Sequence, residues 1–174
     1  MQSVFRKTPQ KAQLFTNIIK LKENDYDIIL LDEIFYTVNF GLLDVKEIIN
    51  ILNSVDGKFK ERDYCILTLF LNCGLRLSEL VGINISHIKD DNTLVVLGKG
   101  NKERTVYLNN ACVDAIAKFM SVRPADGIKD RDALFISNQK KRISNQGVQK
   151  IVEGCLIRSG LDGLGFSTHK LRHT

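Results

Sequence analysis

In the run HKLRHT at 169–174, His169, Arg172 and His173 stand at i, i+3 and i+4. If Ser167 or Thr168 caps a helix there, all three share one face. Nearly a hundred positions earlier, Arg76 and Glu79 repeat the i, i+3 spacing just after Gly74, a residue suited to ending one helix and turning the chain. Two arginines, a histidine and a carboxylate brought together make a phosphate site. Guanidinium forks bind phosphate oxygens bidentately, and imidazole carries a proton near neutral pH. Taken alone, Arg76 and Glu79 read best as a solvated ion pair of little energetic weight. His169 and His173 have a metal-ligand reading too, but the third histidine, His87, lies in another segment and no cysteine or glutamate completes a set. No metal and no cofactor is expected.

These groups need rigid elements to hold them. Asp44 opens a helix, with Glu47 three residues on and an apolar stripe of Val45, Ile48, Ile49 and Leu52; Gly57 closes it. From about Arg62 the run YCILTLFL at 64–71 is apolar nearly all round, which predicts a buried core helix ending at Gly74. A short helix from Ser78 to Val81 follows the turn. Thr93 to Leu97 and Arg104 to Leu108 read as two strands joined by the loop GKGNK at 98–102. Asn109 and Asn110 cap a helix from Ala111 to Val122, with Val113, Ile116, Ala117 and Met120 inward, and Arg123-Pro124 stops it. A short strand from Ala133 to Ile136, the basic patch Lys140, Lys141 and Arg142, and a helix from about Asn145 to Arg158 complete the pattern. The fold class expected is mainly α with a small antiparallel β-sheet. Residues 1–43 show weak periodicity and receive no assignment.

Composition bounds the rest. With 174 residues, 44% of them apolar, the chain can bury one sizeable core. The net charge of +5 is uneven: residues 1–44 carry five basic and six acidic groups, and 45–174 carry twenty and fourteen. A polyanionic partner fits that excess, though many proteins with no such partner are equally basic. Four scattered cysteines with no CxxC pair read as small core side chains in a reducing compartment. Without a long apolar run or a signal-peptide pattern, the expectation is a cytoplasmic protein with no membrane partner.

Three stretches, CGLRLSEL at 73–80, VLGKGNKERTVYL at 96–108 and HKLRHT at 169–174, together resemble the tyrosine recombinase family of phage integrases and Xer-type enzymes. The resemblance spans roughly 44–174, which becomes the expected catalytic domain, with 1–43 a remnant of a DNA-clamping domain. It implies site-specific cleavage and rejoining of double-stranded DNA through a 3′-phosphotyrosine, by a homo-oligomer on DNA, with no small-molecule substrate. Arg76 and Arg172 would clamp the scissile phosphate, His169 would assist proton transfer, and Lys99 would protonate the leaving oxygen. Glu79 and His173 would support the site. Lys102, Arg104, Lys140, Lys141 and Arg142 would touch the DNA backbone.

The family's nucleophilic tyrosine lies well beyond its HxxR motif, and the sequence ends at Thr174. Tyr26, Tyr36, Tyr64 and Tyr107 all precede the site, Tyr64 as core helix and Tyr107 as strand. The expectation is therefore a catalytic domain truncated before its nucleophile, inactive alone, with apolar surface exposed near 145–174 and a tendency to self-associate. A second reading, from another class, is a noncatalytic DNA-binding module using 65–83 as a helix-turn-helix.

Overall fold

The computed structural model describes residues 45–98, 100 and 102–162, and these form five α-helices and one two-stranded antiparallel sheet. The expected class, mainly α with a small antiparallel sheet, is the one found.

Helix α1, Val45–Asn53, buries Ile48 and Ile51. The proposed stripe named Ile49 and Leu52, which are only half-buried, and the helix ends at Asn53, before Gly57. Asp44, its expected cap, lies outside the described residues. Helix α2, Lys60–Cys73, is the central element, with Cys65 to Leu71 buried without a break. Each fully buried Leu, Ile or Phe there stabilises the fold by about 1.5–3 kcal/mol relative to exposure. Tyr64 departs from expectation. It is 39% exposed and lines a surface cavity with Leu52, Val55 and Ala115. Gly74 ends α2 at φ 54°, ψ 34°, the left-handed region that favours glycine.

Three residues on, helix α3 (Leu77–Val81) begins, and a single 3-10 turn at Ile85–His87 leads to the hairpin of β1 (Thr93–Leu97) and β2 (Glu103–Tyr107). The register pairs Thr93 with Tyr107 and Leu97 with Glu103. Strand β1 anchors the hairpin, since Leu94 and Val96 are fully buried while β2 is exposed except at Val106. The second strand starts and stops one residue earlier than the pattern predicts. Helix α4, Asn110–Val122, is capped by Asn109, whose Oδ1 accepts the Cys112 N–H at 2.9 Å. It packs along α2 through Cys112, Ala115, Ile116 and Phe119. Ala117 and Met120, expected inward, are exposed. Helix α5, Asn145–Arg158, is capped by Ser144 and packs against α1, α2 and α3. Its Ile157 is 55% exposed.

The run Ala133 to Ile136 was expected as a strand, but it forms only isolated bridges, Asn84 with Ala133 and Ile136 with Arg142. Its Phe135 carbonyl accepts the Ile143 backbone N–H, and among the described residues arginines take up the neighbouring carbonyls. Arg62 donates to the Ile136 carbonyl at 2.9 Å, and Arg123 to those of Ala133 and Leu134 at 2.7 and 3.2 Å. Arg62 is itself buried, forked onto Asp63 at 2.7–2.8 Å and stacked over the Phe59 ring.

Candidate active site

The geometry centres on Glu79. The glycine turn at 74 and the extended backbone of Arg76 (φ −69°, ψ 149°) start α3, and Glu79 in its first turn reaches back to accept the Arg76 backbone N–H at 2.7 Å. This is one half of a capping box. Arginine carries no acceptor, so the reciprocal half is absent. The Glu79 side chain is 4% exposed, and a carboxylate so enclosed needs compensating charge. It receives two guanidiniums. Arg104 Nη2 lies 3.0 Å from Oε2, and Arg76 Nη1 lies 3.5 Å from Oε1. Both arginines keep open surface, with side chains 51% exposed for Arg76 and 40% for Arg104. The base of the hairpin loop closes over the same carboxylate, for a methyl group at Gly98 would lie 3.7 Å from Glu79 Oε1.

Arg76 and Glu79, three apart in sequence, are thus joined by a residue 25 positions away from Glu79 on β2. The sequence pattern assigned Arg104 to DNA contact, and its ion pair with Glu79 went unseen. The signal available was the buried position of Glu79 in α3, because an enclosed carboxylate demands a second cation. Two exposed guanidiniums held by one carboxylate carry a net single positive charge toward solvent, which suits an oxyanion.

The other expected site residues divide in two. Lys99, His169, Arg172 and His173 lie outside the described residues. Of the remainder, Lys102 is exposed at the foot of β2, with its carbonyl accepting from Gly98 N–H at 2.8 Å. Lys141 is exposed, and Lys140 turns at φ 58° with its Nζ 3.0 Å from the Asp126 carbonyl. Arg142 is engaged internally. It donates to Asp130 Oδ2 at 2.9 Å, to the carbonyls of Val81 and Ile83 at 3.0 and 3.1 Å, and to Asn84 Oδ1 at 2.6 Å. Its hydrogen bond holds the Asp130 carboxyl below the usual carboxylate range. Through Val81, Arg142 fixes the carboxyl end of the helix whose amino end carries Arg76.

Helix α3 has only five residues, with Glu79 and Leu80 buried and Ser78 alone fully turned to solvent. Such a helix has no face to lay along base edges, which weighs against the helix-turn-helix reading. Among the described residues there is no cluster of three or more His, Cys, Asp or Glu side chains placed to hold a metal, and no helix is long and apolar enough to cross a membrane.

A sequence model of the phage integrase family matches residues 42–174. The chain belongs to that family. It is 57% identical over 132 residues to tyrosine recombinase XerC of Caldanaerobacter subterraneus subsp. tengcongensis, covering 76% of this chain and 37% of that protein. It is 37% identical over 134 residues to tyrosine recombinase XerC of Escherichia coli O157:H7, covering 76% of this chain and 44% of that protein. The chain thus spans about two fifths of the length of such relatives. Among solved structures, XerA recombinase superposes with a TM-score of 0.66 at 18% identity, over 99% of this chain and 68% of that one. XerH site-specific recombinase bound to its difH substrate gives 0.65 at 22% identity, over 76% of this chain and 40% of that one. At those identities the likeness establishes the shared fold.

Proposed function

We propose that the protein carrying this chain is a site-specific tyrosine recombinase that breaks and rejoins double-stranded DNA through a 3′-phosphotyrosine. The observation that carries the reading is the pair of exposed guanidiniums held on the buried Glu79 carboxylate, inside a domain of the phage integrase family. Attack on a phosphodiester builds negative charge on the nonbridging oxygens. A guanidinium already fixed at that place stabilises the charge more in the transition state than in the ground state. Arg76 serves as the first phosphate clamp, with Arg172 and His169 completing the cage, His173 supporting it and Lys99 protonating the leaving oxygen. Lys102, Lys140 and Lys141 add contacts to the DNA backbone, and the working form is a homo-oligomer on DNA. XerH, solved with its difH substrate, supports double-stranded DNA as the partner.

The test separates chemistry from binding. In the complete protein encoded by the reading frame that carries this chain, Arg76→Ala should lower covalent cleavage of a nicked duplex by about a hundredfold or more, while duplex affinity changes by no more than about threefold. Equal losses of cleavage and binding would overturn the catalytic assignment in favour of a binding module.

A further inference from the structure

We propose that Arg104 is a positioning residue: it neutralises Glu79 so that the charge of Arg76 stays available to a phosphate. The inference rests on the reading of Arg76 as the phosphate-contacting group. It adds to that reading what decides whether the group is free to act.

Arg104 approaches the carboxylate more closely than Arg76 does, at 3.0 Å against 3.5 Å, and from a different element, strand β2. The Arg76 backbone N–H occupies Oε2 as well, at 2.7 Å, so two donors hold that oxygen while the Arg76 side chain lies loosely beside the other. Among the described residues, removing Arg104 leaves the enclosed carboxylate with Arg76 as its one guanidinium partner. Arg76 must then close on Glu79, the charge summed over Arg76, Glu79 and position 104 falls from +1 to 0, and an incoming phosphate meets a satisfied ion pair. The register of β1 with β2 sets the Arg104 position, since Arg104 pairs with Val96, a fully buried anchor of the hairpin.

A charge cycle tests this. The Arg76 Nε–H resonance, identified by its loss in Arg76→Lys, is followed by 15N side-chain NMR as inorganic phosphate is added. The wild-type resonance should shift with saturation, and Arg104→Ala should weaken phosphate binding by on the order of tenfold or more. Adding Glu79→Gln to Arg104→Ala restores the +1 charge and should bring affinity back to within about threefold of wild type. Arg104→Lys should bind as wild type does. Should the alanine variant fail to fold, Arg104→Gln carries the same expectation. A wild-type resonance indifferent to phosphate, an undiminished Arg104→Ala, or a double variant no better than Arg104→Ala would each overturn the proposal. The last outcome would mark Arg104 as a direct ligand or a purely structural strut. A short DNA duplex that fails to compete with phosphate would count against the recombinase reading while leaving the charge relation intact.

Discussion

Arg142→Ala should destabilise the domain although Arg142 looks, in sequence, like one more cation in the run KKR at 140–142. Its guanidinium meets the Val81 and Ile83 carbonyls and Asn84 Oδ1 at 2.6–3.1 Å, and its side chain is only 27% exposed. Three such hydrogen bonds at roughly 1 kcal/mol each, discounted for partial access of water, give a loss of about 2–3 kcal/mol. The solvent-facing Asp130 pair is left out of that figure. For a chain of this size each kcal/mol moves the midpoint of thermal unfolding by about 2–4 °C, so the variant should melt about 5–10 °C lower. Lys141→Ala is the control: fully exposed, it should stay within about 0.5 kcal/mol of the parent. Chemical denaturation of the three proteins, with equal slopes against urea, gives the difference directly. An Arg142→Ala variant as stable as Lys141→Ala would show that the four-way contact carries no net energy and that the cation is free for a partner.

Two further outcomes follow from particular groups. Burial holds the Asp63 carboxyl above its ordinary range despite the adjacent Arg62, and the Arg142 hydrogen bond holds Asp130 below it. Asp63 therefore favours the folded state below the ordinary carboxylate value and loses that contribution as pH rises through its folded value; Asp130 contributes above the ordinary value and loses it as pH falls. Urea titrations between about pH 3 and 6 should show Asp63→Asn gaining on the parent as pH rises and Asp130→Asn falling behind it; parallel curves would refute both assignments. Gly74→Ala, placing a Cβ at φ 54°, should cost about 1–2 kcal/mol, with Gly74→Asn costing less; equal stability of the three would mean the turn relaxes freely.

Where one-dimensional pattern matched a single dominant force, the chain was legible. The unbroken apolar run made α2 plain, and β1 and α5 fall at the bounds read for them, Thr93 to Leu97 and Asn145 to Arg158. Helix α4 was misphased for a physical reason. Apolar residues occupy most of its circumference, so periodicity alone admits several inward faces. What selects Phe119 is a stacking partner from elsewhere, Phe135, whose ring centroid lies 5.6 Å away. Tyr64 shows the same limit in reverse, an aromatic in a core helix that stays 39% exposed among the described residues. At the site, Arg76 with Glu79 could be read from spacing, but the Arg104 partnership depends on hairpin register and α3 placement together.

The same reasoning changes what the basic excess of residues 45–174 means. Counted as formal charge it points outward, to a polyanion. In the fold, Arg62 and Arg123 turn inward to the Ile136, Ala133 and Leu134 carbonyls, Arg142 to the Val81 and Ile83 carbonyls at the end of α3, and Arg158 donates to the Ser54 carbonyl at 2.7 Å to tie α5 to the end of α1. Arginine suits this work because it offers five donors in a fixed plane and stays charged at any physiological pH. Four of the cations that made the sequence look like a polyanion binder are thus committed to holding segment 131–136 and the helix ends in place. Around Glu79 the charge is set locally instead, by how one enclosed carboxylate divides itself between Arg76 and Arg104.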